Sequence, residues 1–282
     1  MLQRSKELLG TTVTVSIKAE RSSYVEACIE RAFGECQRIE AAFSRFIAGN
    51  ELDLLNLGVG QWVPVSEELY GLISYALEVK KKTLGAFDIS VKSVLTSWGY
   101  DREYSFREGE KGSLGTIETS NGKVRIASEI DLGGLGKGYA VDRMVELLDG
   151  FETFSVNAGG DIYSKGGFKT AFEHPLELDK AIGVVEVDGF AVASSSGNRR
   201  KWRDRHHLVD PFTLRPAAEM LAVYTQAERA IDADAYATAL FVLGFERAKA
   251  LLKTLPVDAM LISPRGEIFK SAGFKGELFL EL

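Results

Sequence analysis

Residues 131–142 are D-L-G-G-L-G-K-G-Y-A-V-D, with four glycines and one lysine between two aspartates. A glycine-rich stretch with a lysine is typical of two phosphate-binding folds. The P-loop needs a glycine five residues before its Gly-Lys pair and a Ser or Thr after it, but these positions are Asp131 and Gly138. The dinucleotide fingerprint G-x-G-x-x-G fails too, because its last glycine would fall on Tyr139. The stretch therefore fits neither fold, and its glycines need another explanation.

On both sides of this stretch, hydrophobic periodicity predicts helices and strands. They do not alternate as regular βαβ units. Apolar residues spaced by three and four predict helices over 23–46, after Ser66, after the glycine-rich stretch from near Gly138, and over 234–243 and 245–255. Alternation and β-branched residues predict strands at 11–19, 123–127, 152–157, 181–187 and 189–194, with a hairpin at 259–262 and 267–270. Residues 84–100 are predicted to be loop-like and 101–121 a polar surface. This mixture predicts an α+β fold with mixed sheets and packed helices.

Composition narrows the class of protein. The chain has 282 residues, of which 45% are hydrophobic and 26% are charged, as in ordinary globular proteins. A net charge of −6, with only a short basic run at 199–205, predicts no nucleic-acid partner. No repeat or linker divides the chain, so we expect one compact domain over 1–282.

The sequence also bears on the compartment. No apolar run approaches the roughly 20 residues needed to span a bilayer, and the N-terminus lacks the apolar core of a signal peptide. Cys28 and Cys36 lie two helical turns apart, roughly 12 Å along a helix, whereas the Cα atoms of a disulfide lie within about 7 Å. We therefore expect two buried free thiols and a cytoplasmic protein, or a periplasmic one if a leader has been removed.

Two glycine-containing stretches have both a structural and a functional interpretation. The glycines of 131–142 are explained by tight packing at a helix entrance, or by a ligand that approaches the backbone between Asp131 and Lys137. A helix beginning there would also direct free N–H groups at an anion. The second stretch, N-A-G-G-D-I at 157–162, is explained by a β-turn alone.

Two further stretches carry polar groups that could perform chemistry. In H-H-L-V-D-P at 206–211, neighbouring residues of an extended segment point to opposite faces. At most one histidine therefore faces a given pocket, where it could act as a general base or as an acid that contacts a phosphate, and a surface histidine is the alternative. In D-A-D-A-Y-A-T-A-L from 232, Asp234 and Thr238 share one helical face and offer oxygen ligands suited to Mg²⁺. A capping aspartate with a buried threonine is the other explanation.

The order of these stretches resembles the ApbE family of flavin transferases, the FAD:protein FMN transferases. The similarity covers nearly the whole chain from about residue 9. It is carried by F-S-R-F-x-x-x-N-E-L-x-x-L-N at 43–56, G-A-F-D at 85–88 with W-G-Y from 98, D-L-G-G-L-G-K-G-Y-A-V-D, N-A-G-G-D-I, S-S-G-N, H-H-L-V-D-P-F-T and D-A-D-A-Y-A-T-A-L. The resemblance implies an ApbE-like, T-fold-related single unit.

The resemblance also implies a role for particular residues. The Gly134 carbonyl, Asp234 and Thr238 would bind Mg²⁺, and His207, but not His206, matches the histidine implicated in the mechanism. The residues implied to contact FAD are Leu9, Phe46, Ala86, Phe87, Asp88, Asp131, Lys137 and Leu208.

The activity implied is Mg²⁺-dependent transfer of FMN from FAD to a threonine hydroxyl of an acceptor flavoprotein subunit, through a phosphoester bond and with release of AMP. Two alternatives stay open. In an FAD pyrophosphatase, water replaces threonine and the products are free FMN and AMP. In a non-catalytic flavin-binding protein, FAD binds but no AMP is released.

Two positions depart from the family pattern. The glycine expected after D-P-x-T is Leu214, and the acid of the T-S-G-D segment is replaced by Asn198. Leucine tolerates positive φ poorly, so the first change alters a turn. The second removes a negative charge near the expected site. Both changes bear on the rate of turnover and on the acceptor protein more than on binding of FAD.

Overall fold

The computed structural model describes residues 1–177 and 179–279. Its α-helices are α1 (Ser23–Phe43), α2 (Glu51–Leu57), α3 (Glu67–Lys82), α4 (Lys92–Ser97), α5 (Gly136–Leu148), α6 (Ala230–Leu243) and α7 (Phe245–Leu251), with 3₁₀ turns at Ile89–Val91 and Leu252–Thr254. Serine caps fix two of the starts, because the hydroxyls of Ser22 and Ser66 accept N–H groups in the first turns of α1 and α3.

Strands account for much of the remaining chain. They are β1 (Leu2–Leu8), β2 (Thr11–Ile17), β3 (Val63–Pro64), β4 (Ile117–Ser120), β5 (Lys123–Ile126), β6 (Phe154–Ala158), β7 (Asp161–Lys165), β8 (Phe168–Glu173), β9 (Ala181–Val187), β10 (Phe190–Ser196), β11 (Lys201–Trp202), β12 (Arg205–His206), β13 (Val209–Asp210), β14 (Arg215–Pro216), β15 (Ala222–Ala227), β16 (Asp258–Ile262), β17 (Ile268–Lys270) and β18 (Glu277–Leu278).

One antiparallel sheet organises the molecule. Its eight strands follow the order β1-β2-β6-β7-β10-β15-β16-β17, and every neighbouring pair is antiparallel. A smaller sheet with the order β18-β9-β8 accompanies it. Together with the packed helices, this arrangement confirms the predicted α+β fold.

The central strands of the large sheet are buried on both faces. In β10, Ala191 and Ala193 belong to the core shared with the helices, whereas Val192 belongs to a second cluster with residues of β8 and β9. In β15, Val223 and Tyr224 divide between the same two clusters. Each strand contains a short apolar run, Phe190–Ala193 in β10 and Ala222–Tyr224 in β15, instead of the alternation of a half-exposed strand.

Helix α6 lies at the centre of the helical layer. All but two of its fourteen residues are buried, as expected for a helix that is apolar around its whole circumference. Its first turn is capped from α5, because the carboxylate of Asp142 accepts the N–H groups of Ala230 and Ile231 at 2.7 and 3.0 Å. Asp142 therefore joins the glycine-rich stretch to the helix that carries Asp234 and Thr238.

Some predicted boundaries were wrong. Helix α1 ends at Phe43 and α5 begins at Gly136, two residues before the predicted start. The predicted loop at 84–100 contains a 3₁₀ turn and α4. Within the predicted polar surface at 101–121, Tyr104 stacks on Phe46 with ring centroids 5.1 Å apart. Cys28 and Cys36 are free and buried, as predicted.

Candidate functional site

A cleft of ≈ 940 Å³ lies beside the start of α5, and we call it the main cleft. Pockets of 300–1,000 Å³ are typical of small-molecule and cofactor sites. Of the residues singled out from the sequence, those that line it are Phe46, Ala86, Phe87, Asp88, Asp131, Gly134, Lys137, His207, Leu208, Asp234 and Thr238. Leu9 lines a side pocket of ≈ 270 Å³, which shares Phe46, Asp131 and Lys137 with the main cleft.

Two of the four glycines of 131–142, Gly134 and Gly138, serve close packing between elements. Positive φ is not their purpose, since none of the four, all within the described part of the chain, adopts it. A Cβ on Gly138 would lie 2.3 Å from the carbonyl oxygen of Ala230, so this glycine lets α5 and α6 approach each other. A Cβ on Gly134 would lie 3.1 Å from the Phe87 ring and 3.4 Å from Thr238 Oγ1. The packing interpretation therefore holds, and packing brings the loop against Thr238.

The start of α5 offers an anion fewer free backbone N–H groups than the sequence predicts. The N–H of Gly136 donates to the carbonyl of Leu132 at 2.8 Å. The N–H of Gly138 donates to Asp234 Oδ2 at 3.0 Å. Because these backbone donors are already used, the lysine side chain is the main positive group that this turn offers a ligand.

Lys137 lies between two buried carboxylates. Its ammonium contacts Asp161 closely and lies 3.2 Å from Asp234 Oδ1. The exposed fractions of Asp161 and Asp234 are only 2% and 3%. Burial opposes the charge on Lys137, but the attraction of the two carboxylates outweighs it and raises the pKa of the lysine. Burial and the neighbouring Asp234 raise the pKa of Asp161 to about 7.

These groups form an oxygen-rich donor set. The two carboxylates already hold one cation, the Lys137 ammonium, and the hydroxyl of Thr238 lies one turn after Asp234 on α6. Within the described ranges, no three acids, histidines or cysteines cluster as a metal site. Carboxylate, hydroxyl and carbonyl oxygens suit the hard cation Mg²⁺ and not Zn²⁺, so the residues present fit the predicted ion.

The two adjacent histidines have different surroundings. His206 is held on both sides, since its Nε2 lies 2.9 Å from the Ala217 carbonyl and its Nδ1 accepts the N–H of Leu208. His207 lines the main cleft, and its buried Nδ1 has no hydrogen-bond partner. Burial, and then the nearby Arg200, lower the pKa of His207 well below its ordinary value. Only the second histidine is therefore available to a ligand, and it is neutral at pH 7.

Arg45 was not singled out from the sequence, although the quoted F-S-R-F contains it. It is 7% exposed, and its guanidinium carbon lies 4.4 and 4.5 Å from the ring centroids of Phe46 and Tyr100. Its Nε is 3.5 Å from Asp131, while its buried Nη2 has no hydrogen-bond partner. A buried donor without a partner is costly, and the residue that carries it lines the main cleft.

Asp161 was the second residue missed. The sequence placed it in N-A-G-G-D-I, but a β-turn accounted for that pattern, and nothing local indicated its partner Lys137 in α5. Asp88, one of the predicted acids, has a local role. Its Oδ1 accepts the N–H and hydroxyl of Ser90 at 2.9 and 2.7 Å, and its Oδ2 lies 2.6 Å from Lys80. This carboxylate caps the 3₁₀ turn at Ile89–Val91, which follows Ala86 and Phe87.

The structure also accommodates one departure from the family pattern. Leu214 has a φ of 54°, the left-handed conformation in which leucine is unfavourable. Its N–H donates to the Asp210 carbonyl at 2.8 Å, and its side chain packs against the cluster that contains Trp98 and Tyr100. This packing offsets part of the backbone cost. Asn198 lies outside the residues that line the main cleft.

A second cavity, of ≈ 620 Å³, shares no lining residue with the main cleft. Charged groups around it include Lys249, Lys253, Lys275 and Asp258. Its buried Gln226 is satisfied, because the side chain bonds both the N–H and the carbonyl of Lys275 at 2.8 Å.

Among the described residues, no helix is long and apolar enough to cross a membrane.

Comparison with known proteins identifies the family of the chain. The sequence model of the ApbE family matches residues 9–261. The FAD:protein FMN transferase of Treponema pallidum (strain Nichols) is 30% identical, over 96% of this chain and 86% of the relative. The enzyme of the same name from Escherichia coli (strain K12) is 27% identical, over 74% of this chain and 68% of the relative.

Solved structures show the same fold. The crystal structure of the ApbE protein from Thermotoga maritima superposes with a TM-score of 0.85 at 27% identity, over 96% of this chain and 97% of the other. The flavin transferase ApbE from Vibrio cholerae gives a TM-score of 0.82 at 21% identity, over 97% of both chains, and supports the fold alone.

Proposed function

The chain belongs to the ApbE family, and from this premise we propose that it transfers FMN from FAD to a threonine hydroxyl of an acceptor flavoprotein and releases AMP. One observation supports the site most strongly. Both buried side-chain nitrogens without a hydrogen-bond partner in the described ranges, on Arg45 and His207, line the same cleft as Lys137, Asp234 and Thr238.

The reaction replaces one bond to phosphorus by another. The threonine oxygen bonds to the phosphorus of the FMN half, the bond from that phosphorus to the bridging oxygen breaks, and AMP leaves with the electron pair. Positioning and electrostatic stabilisation dominate the catalysis of such transfers. Mg²⁺ bound by Asp234, Thr238 and the Gly134 carbonyl would act as a Lewis acid that neutralises the pyrophosphate.

Charged side chains of the cleft hold the anionic substrate. The Lys137 ammonium and the Arg45 guanidinium are donors to phosphate or ring oxygens, and Arg200 lines both the main cleft and the side pocket. Charge-assisted hydrogen bonds of this kind are roughly twice as strong as neutral ones. The aromatic side chains of Phe46 and Tyr100 add apolar surface for a planar ring.

His207 receives the proton of the attacking threonine. Its lowered pKa keeps the imidazole neutral at pH 7, and a neutral imidazole has a nitrogen that can accept a proton. Burial and the nearby cations, which lower the pKa of His207 in that order, also favour prompt loss of the proton afterwards. General-base assistance of this type contributes about 10²–10⁴-fold to the rate.

The test is to incubate the protein with FAD and Mg²⁺, with and without a flavoprotein subunit that contains a candidate threonine. Transfer predicts that AMP appears in proportion to an FMN-sized mass increase on the acceptor, and that replacing the threonine by alanine abolishes both. Release of free FMN and AMP without labelled protein would instead identify a pyrophosphatase. FAD binding with no AMP under any condition would identify a binding protein.

A further inference from the structure

The shared position of Lys137 creates a conflict within the proposed site. Asp234 uses both carboxylate oxygens, since Oδ2 accepts the Gly138 N–H at 3.0 Å and Oδ1 lies 3.2 Å from the Lys137 ammonium. A divalent cation on Asp234 would meet this ammonium at close range, and like charges a few ångströms apart in a buried site repel strongly. The ammonium therefore needs another partner when a metal binds.

Asp161 provides that partner. Of the two carboxylates that contact Lys137, Asp161 makes the shorter contact. We propose that Asp161 is a positioning residue that retains the Lys137 ammonium and thereby leaves Asp234 free for a divalent cation. This inference rests on the proposed function, because the metal site belongs to it.

The backbone holds Asp161 firmly in this position. It is the first residue of β7, directly after a turn in which Gly159 and Gly160 have φ values of 63° and 104°. The turn is fixed by Asn157, whose Oδ1 accepts the Gly160 N–H at 2.9 Å. A Cβ on Gly159 would lie 2.3 Å from the hydroxyl of Thr11 in β2. The turn therefore requires glycine and delivers the carboxylate to Lys137 without freedom to move away.

A double-mutant cycle on Asp161 and Lys137 tests the inference. The readout is binding of Mn²⁺ in the absence of FAD, from the electron paramagnetic resonance signal of the free ion. Asp161→Asn should weaken Mn²⁺ binding about 10- to 100-fold, the range for residues that orient metal ligands, because Lys137 then bonds Asp234 alone. Lys137→Met should bind Mn²⁺ at least as well as the unmodified protein.

The double variant separates positioning from charge. If Asp161 acts through Lys137, the double variant should bind Mn²⁺ within about threefold of Lys137→Met, since without the ammonium the loss of Asp161 matters little. If Asp161 acts on the ion directly, as a ligand or by its charge, Asp161→Asn will weaken binding by the same factor with or without Lys137. That result, or normal Mn²⁺ binding by Asp161→Asn, overturns the inference.

Asp258→Asn in the second cavity is the matched control and should leave Mn²⁺ binding unchanged, and circular dichroism checks that all variants fold. The outcome is distinguishable from failure of the proposed function. An unmodified protein that binds Mn²⁺ with the expected coupling but yields neither AMP nor labelled acceptor would refute the transfer and not the positioning. Absence of Mn²⁺ binding by the unmodified protein would refute both the metal site and the inference.

Discussion

The main cleft and the second cavity are similar in scale, ≈ 940 and ≈ 620 Å³, but differ in the state of their polar groups. The second cavity has three lysines on its walls, and its buried Gln226 is fully hydrogen-bonded. The main cleft buries two nitrogens without partners and two carboxylates around one ammonium. Burying polar groups in this way costs free energy and does not by itself stabilise the fold. Buried polar groups without hydrogen-bond partners, more than cavity volume, therefore distinguish the main cleft from the second cavity.

The largest expected effect is in the main cleft, at His207. His207→Ala should reduce the rate of FMN transfer about 10²–10⁴-fold with FAD saturating, because the threonine proton loses its acceptor. The affinity for FAD should change little. Transfer is measured from the mass of the acceptor, and FAD affinity from quenching of flavin fluorescence. Transfer at the unmodified rate would remove the base role from this residue.

Arg45 gives the next largest effect. Arg45→Met keeps much of the apolar stem but removes the donors, so FAD should lose a charge-assisted hydrogen bond of about 1.5–3 kcal/mol, roughly 10- to 150-fold in affinity. Equilibrium titration of FAD at fixed ionic strength measures the loss. An unchanged dissociation constant would show that the guanidinium of Arg45 does not bond the ligand, and would weaken the contrast between the two cavities.

The helix entrance beside the main cleft can be tested at two glycines. Gly138→Ala places a methyl group against the Ala230 carbonyl, so α5 and α6 must separate, and overpacking of this kind costs about 1–3 kcal/mol. Gly136→Ala is the matched control in the same turn, because a Cβ there has nothing within 4 Å. Urea unfolding should show a lower midpoint for the first variant only. Equal midpoints would contradict the close-packing role.

The smallest effect is expected in the second cavity. Lys253 is exposed, and no salt bridge or hydrogen bond involves its side chain in the described ranges. Lys253→Met should therefore leave FAD binding unchanged and alter stability by less than about 0.5 kcal/mol. The same titration and urea experiments serve as the measurement. A loss of FAD affinity would mean that both cavities take part in binding.

The sequence predicted the parts of the fold that follow local patterns. The period of three and four residues located α1 and α3, and the start signal at Ser66 marked the beginning of α3, because these signals act within a few residues. The order of the eight strands was not predictable, since β2 pairs with β6 and β7 with β10 across intervening segments. Strand β15, buried on both faces, lacks the alternation that marks a half-exposed strand.

The functional site shows the same difference between features that local sequence patterns predict and features that depend on tertiary structure. The predicted residues come together in the main cleft, except Leu9, which lies in the adjoining side pocket. Arg45 and Asp161 were missed because their importance depends on burial and on partners distant in the chain. Asp142, which had no role in the sequence, proved to be the cap of α6. Carboxylates can be found from sequence, but the backbone groups they accept from depend on tertiary structure.

The pairing of β2 with β6 has a consequence for how the chain is made. The apolar side chains of Val13, Val15 and Ile17 belong to the core, yet their neighbour on the sheet begins only at Phe154. At synthesis rates of roughly 5–20 residues per second, the N-terminal hairpin waits on the order of ten seconds for this partner. During that time it presents an unpaired apolar edge, the kind of surface that invites association with other chains.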